Sequence, residues 1–238
     1  MANTIFNTIT IEPSEAMDKI CEMLESQEDL GYGKETTALV KVIYNEDDLK
    51  RNLRGKEYGN GTMDNPITES GVDISWCNDN IGTKWIMGGV DGEIKIDSAN
   101  YPPDGLLCKF YQIALEVDPM NAKVICHWYD EGDSEFGTCY IRNGVYTETS
   151  DDDLEFMSLD EDEMDADEYN ETKWDEITTL WEDQLNLCDE PIGIYDDPDF
   201  NFPINKIVRI AEFEGKLDEE TETLVGKFVM LEDYYPFN

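Results

Sequence analysis

Acidic residues outnumber basic ones by 56 to 17 in this chain, and the imbalance is concentrated: residues 130–238 hold 34 acids and 6 bases (net −28), against 22 and 11 (net −11) in residues 1–129. No fold can bury so many carboxylates, because an ionised group taken from water without a partner is strongly destabilising. The charge must lie on a surface, and the C-terminal part must present most of it. A core lies beneath, because 40% of the 238 residues are apolar and the chain has 5 Trp, 12 Tyr and 9 Phe, whereas acidic disordered chains are poor in aromatics.

A field of this sign repels nucleic acid and anionic membranes and attracts basic grooves, over a Debye length of about 8 Å at physiological salt. Direct nucleic-acid binding and membrane association are therefore not expected. The six cysteines (Cys21, Cys77, Cys108, Cys126, Cys139, Cys188) contain no C-x-x-C pair, and "MANTIFNTITIEP" has neither a basic nor an apolar leader region, so reduced thiols in a cytoplasm are expected. No apolar run approaches the length of a membrane span.

Along the chain, "NTIFNTITI" alternates as a strand, and "SEAMDKICEMLE" places Ala16, Met17, Ile20 and Leu24 at helical spacing behind a Ser14 cap. "ALVKVIYN" reads as a strand, and "DDLKRNLRGKEYGNGTMDNP" as a short helix and a Gly- and Asn-rich loop, so that residues 30–70 form an insertion. "VDISWCN", "GTKWIMGGV" and "GEIKIDSA" read as short β-rich runs. A helix follows, with Pro102 and Pro103 in its first turn and Leu107, Phe110, Tyr111, Ala114 and Val117 on one face. "AKVICHWYD" is a strand and "EFGTCYIRNGVYTE" a hairpin closed by Asn143-Gly144. "TKWDEITTLWEDQLNL" is a helix capped by Thr172, and "NKIVRIAEFEG" and "TLVGKFVMLED" form a final strand pair.

The order β-α-β-β-α-β over residues 1–147 suits a ferredoxin-like domain, giving an α+β fold with helices on one face of an antiparallel sheet and an acidic α+β extension over 148–238. Three segments, "MANTIFNTITI", "GTKWIMGGVDGEIKIDSANYPP" and "HWYDEGDSEFGTCYIRNGV", resemble the YubB-type ferredoxin-like domain of bacteriophage and plasmid proteins. The resemblance covers residues 1 to about 146. It implies that fold and a mobile-element origin, and it brings no catalytic residues with it.

Enzymatic constellations are scarce. His127 is the sole histidine, which removes multi-histidine metal sites and leaves Ser-His-Asp or Cys-His chemistry available at that residue alone; between core-like positions it reads as structural. "GYGKET" lacks phosphate-loop spacing, and "DDDLEFMSLDEDE" lacks the glycine and ligand order of a calcium-binding EF-hand loop. No enzyme activity, cofactor or metal is expected. "KRNLRGK" brings Lys50, Arg51, Arg54 and Lys56 together, either to neutralise an acidic face within the molecule or to dock a second copy.

The run "DDDLEFMSLDEDEMDADEYNE", residues 151–171, carries twelve carboxylates and no base, with apolar residues interleaved. Were residues 148–171 helical, their carboxylates would fall about every 2.8 Å, between the charge spacings of duplex and single-stranded nucleic acid. Asp151, Asp152, Asp153, Glu155, Asp160, Glu161, Asp162, Glu163, Asp165, Asp167 and Glu168 are thus candidate phosphate surrogates, with Asp175, Glu176, Glu182 and Asp183 secondary. The expected function is a non-enzymatic DNA mimic that occupies the DNA groove of a basic host defence protein in the host cytoplasm. A solvated linker, a halophilic surface and an acidic assembly protein that uses charge for solubility are the alternatives, with an enzyme acting on nucleotides or RNA ranked below them because no cleft of positioned polar groups is recognisable. A halophilic surface would spread its acids evenly, unlike the two halves here.

Overall fold

The computed structural model describes residues 3–26, 35–50, 66–68, 71–90, 93–130, 132, 135–151, 175, 178–182, 204–218 and 223–231. The fold is α+β. Its elements run β1 (Thr4–Glu12), α1 (Ser14–Glu25), α2 (Glu35–Ile43), α3 (Glu46–Lys50), β2 (Ile67–Thr68), β3 (Gly71–Val72), α4 (Ile74–Asn80), β4 (Ile86–Val90), β5 (Ile94–Ala99) and α5 (Asp104–Val117). Then follow β6 (Lys123–Asp130), β7 (Phe136–Arg142), β8 (Val145–Asp151), β9 (Ile204–Arg209), β10 (Ala211–Asp218) and β11 (Thr223–Met230). Seven strands form one sheet in the order β4-β5-β1-β6-β7-β8-β9, every neighbouring pair antiparallel.

Alternation along β1 separates the sheet's two faces. Ile5, Ile9 and Ile11 are buried together with Ala16, Ile20 and Leu24 of α1 and Leu106, Leu107, Phe110 and Ala114 of α5. Asn7 shares that buried face because its carboxamide is used: Nδ2 donates to Ile96 O (2.7 Å) and Ser98 Oγ (2.9 Å). The opposite face carries Phe6, Thr8 and Thr10, whose register partners on β6 are Tyr129, His127 and Ile125. At the β4 edge the Thr36 hydroxyl donates to Ile86 O (2.8 Å) and accepts from Ile86 N (3.1 Å), occupying backbone groups a further strand would need.

Several elements depart from the sequence reading. "ALVKVIYN" is helical: Leu39, Val40 and Ile43 share one helical face and are buried in the main core, which outweighs a β-branched preference worth a few tenths of a kcal/mol per residue. Residues 35–43 thus contribute to the core from within the stretch read as an insertion. In "VDISWCN" only Gly71–Val72 is strand; Asp73 caps α4, its carboxylate accepting from Ser75 N (2.8 Å) and Trp76 N (3.2 Å), and Trp76 is fully buried. At α1 the cap position belongs to Pro13, and Ser14 is the first helical residue. Pro103 likewise occupies the cap position of α5, one residue before the helix, and the expected apolar face of α5 ends with Val117 39% exposed. The first of the two final strands is broken at Ile210 into β9 and β10, and the two parts join different sheets.

Asn143-Gly144 closes the β7–β8 hairpin with positive φ at both residues (53° and 76°). Gly144 N donates to Tyr111 Oη (3.0 Å), and its carbonyl accepts from Ile210 N (2.7 Å) and Ala211 N (3.0 Å). Ile210 and Ala211 are fully buried in the main core, so the C-terminal strands are packed onto the body at this turn. The expected domain boundary, between residues 147 and 148, falls inside β8.

Candidate functional site

β8 and β9 are adjacent antiparallel strands, with Thr149 opposite Ile204 and Glu148 opposite Lys206. The chain between them, residues 152–203, holds 20 acids and one base, Lys173. The most acidic part of the protein is therefore not a tail: it leaves the sheet at one strand and returns at the next. Of the expected phosphate surrogates, Asp151 ends β8, and Asp175 and Glu182 are exposed on helical backbone. Asp152, Asp153, Glu155, Asp160, Glu161, Asp162, Glu163, Asp165, Asp167, Glu168, Glu176 and Asp183 lie outside the described residues, as do Arg51, Arg54 and Lys56; Lys50 ends α3.

The helical residues near 180 are attached to the sheet face opposite the main helices. The Trp181 indole stacks on the His127 imidazole (centroids 5.1 Å apart, planes 18° apart), and its Nε1–H donates to Trp128 O (3.3 Å). Leu180 and Trp181 pack against Tyr129 of β6 and Phe136 of β7. Asp175, Thr178, Thr179 and Glu182 are exposed. Thr179 Oγ1 donates to Asp175 O (3.0 Å), as a helical turn permits. The acidic side faces solvent because the aromatic side is used for attachment. His127 Nδ1 lies 3.0 Å from Thr138 Oγ1, and burial lowers its pKa to about 4.

A second group of polar side chains secures the return strand. Lys206 of β9 donates to Asp104 Oδ2 (2.9 Å) at the start of α5, and Tyr146 Oη donates to Asp104 Oδ1 (2.6 Å). Glu148, two residues along β8, has Oε2 3.5 Å from Tyr146 Oη. Burial and the neighbouring Asp104 push the Glu148 carboxyl up to about 7, against the pull of Lys206. Burial also raises Asp104, opposed by Lys206 and the Tyr146 hydrogen bond.

No sequence motif marks this group, since Asp104 and Lys206 are 102 positions apart. The one available signal was Lys206 itself, a rare base after a long acidic stretch. Chemically the two attachments form a frame: an aromatic stack in the middle of the acidic stretch and an ionic cluster at its C-terminal end. Among the described residues no helix is long and apolar enough to cross a membrane. No protein-family model, curated protein or solved structure matches the chain.

Proposed function

We propose that this protein is a stoichiometric, non-enzymatic inhibitor whose acidic stretch imitates the phosphates of DNA and occupies the DNA groove of a basic protein of bacterial defence in the host cytoplasm. The observation that supports it most is the concentration of 20 acids against one base in a stretch bounded by two paired strands and attached between them through Trp181. A carboxylate held on a frame competes for a basic groove better than one on a free chain, because less conformational freedom is lost on binding. The groove's Lys and Arg side chains, built to release counterions from phosphates, accept fixed carboxylates for the same electrostatic reason.

The frame on this reading is a ferredoxin-like domain over residues 4–130. The strand order β4-β5-β1-β6, with α1 between β1 and β4 and α5 between β5 and β6, supports that assignment. The likeness to YubB-type domains supplies the mobile-element setting, in which an inhibitor of a restriction complex, defence nuclease or CRISPR effector is useful.

The test is capture from bacterial lysate on the tagged protein at low salt, followed by elution with duplex DNA. Specific elution of a DNA-binding defence protein, lost when the acids between 151 and 168 are changed to Asn and Gln in a folded variant, is the expected result. Recovery of only generically basic proteins, or capture indifferent to those changes, overturns it.

A further inference from the structure

We propose that Asp104, Tyr146, Glu148 and Lys206 form a proton-operated clasp on β9, closed while one of the two carboxylates carries a proton and loosened when both are ionised. The clasp acts on the attachment of the acidic stretch, and it holds whatever that stretch binds.

Among the described residues the geometry sets two carboxylates against one ammonium. Lys206 stands opposite Glu148 in the β8–β9 register, yet its Nζ lies 2.9 Å from Asp104 Oδ2 on α5. Tyr146 bridges the acids, 2.6 Å from Asp104 and 3.5 Å from Glu148. The remaining neighbour across the sheet is Cys139 of β7, opposite Glu148, with Cys126 of β6 beside it. Burial raises the Cys139 thiol and the Tyr146 phenol, so both stay neutral. With both carboxylates ionised, the cluster keeps one uncompensated negative charge where Asp104 is 7% exposed. One proton removes it, and that proton belongs to the pair.

β9 is poised to respond. It is an edge strand of six residues, the pairing register shifts between Glu148 and Thr149, and Ile207 is 48% exposed, while Val208, only partly buried, packs against the main core near the fixed C-terminal end. Its C-terminal side is fixed independently, through Ile210 and Ala211 on Gly144. Loosening is therefore confined to the Ile204 side, where the acidic stretch joins. A carboxyl whose folded pKa is raised above its unfolded value favours the closed state at low pH. For Glu148 that advantage is lost as pH rises from the ordinary carboxylate range to about 7, with no further change above.

The experiment is amide hydrogen exchange on the full chain, corrected for the intrinsic pH dependence of exchange, with β6 amides as reference. Protection of residues 206–208 is expected to fall about tenfold between about pH 6 and pH 8.5 while β6 is unchanged. Glu148→Gln should abolish the step. A flat profile in the parent, an equal step in β6, or a step retained in Glu148→Gln overturns the proposal. Should Glu148→Gln not fold, a carbon-13 titration of Glu148 and Asp104 in the parent decides: a midpoint near neutrality at either carboxyl supports the clasp, and both in the ordinary carboxylate range overturn it. None of these readings depends on the partner, so the clasp and the inhibitor reading fail separately.

Discussion

The body of the sheet and the stretch between β8 and β9 solve the same electrostatic problem in different ways. Outside that stretch the chain holds 36 acids and 16 bases, inside it 20 and one. In the body, bases are placed against acids across elements: Glu12 with Lys123 on neighbouring strands (2.7 Å), Lys19 with Glu116 between α1 and α5 (3.1 Å), and Asp48 with Lys109 between α3 and α5 (2.7 Å). The exposed Lys19–Glu116 pair contributes about 1 kcal/mol or less, and the largely buried Asp48–Lys109 pair compensates charges that burial would otherwise penalise, so their shared use is to cancel charge where elements meet. The stretch has almost nothing to cancel with. Its described acids, Asp175 and Glu182, face solvent, and its attachment near residue 180 uses an indole, an imidazole and one backbone carbonyl. Charge in the body is a cost locally offset; of the stretch's acids, the described Asp175 and Glu182 face solvent, as the proposed surface for an external cation requires.

The strongest way to break this contrast is to detach the return strand from the body without changing any charge. A side chain on Gly144 would place its Cβ 2.3 Å from Ala211 O, at a φ of 76° that β-branched residues rarely adopt. Gly144→Val is expected to destabilise the protein by about 3 kcal/mol or more, with a lower denaturant midpoint and lost protection at Ile210 and Ala211. If inhibition survives in a folded Gly144→Val protein, fixed geometry is irrelevant and charge alone suffices.

A smaller effect separates attachment from stability. Trp181→Ala removes the stack on His127, the bond to Trp128 O and the cover over Tyr129 and Phe136, a loss of about 2 kcal/mol in local attachment. The body's core does not include Trp181, so the main unfolding transition should move little while protection of residues 178–182 is lost. The affinity for a basic partner should fall although every carboxylate remains.

These two sites were not equally legible in the sequence. The Asn143-Gly144 turn was readable because its φ values demand those residue types, and α1 and β1 were readable because each shows one period cleanly. The docking of Ala211 on that turn was not readable, since it depends on where a strand 67 positions away returns. α2 was misread because Val40, Val42 and Ile43 favour strands locally, while core burial decides globally. α4 was read as a β-rich run because Val72 and Ile74 favour strands locally, while the Asp73 cap and the burial of Trp76 decide for helix in the fold. The acidic stretch was identified from charge; its two attachments were hidden, because His127 with Trp181 and Asp104 with Lys206 are pairs that only the folded sheet brings together.

The gentlest test concerns pH, where the two attachments pull in opposite directions. Burial lowers the His127 pKa to about 4. Between its unfolded value near 6.5 and about 4 the open state binds the proton more readily, so the Trp181 attachment is fully present above about 6.5 and weakens as pH falls through about 4. Glu148 acts the other way, its contribution lost as pH rises to about 7. The stretch should thus be held at both points together best in weakly acidic solution, weakening at the helix as pH falls through about 4 and at β9 as pH rises through about 7. His127→Phe keeps an aromatic face for Trp181 but removes the titration and the contact with Thr138 Oγ1, at a cost of about 1 kcal/mol. Exchange protection of residues 178–182 in that variant is expected to lose its acid limb while the limb at β9, falling as pH rises through about 7, stays. Retention of the acid limb would place its origin in the carboxylates of the stretch, and the two attachments would no longer be distinguishable by their titrating groups.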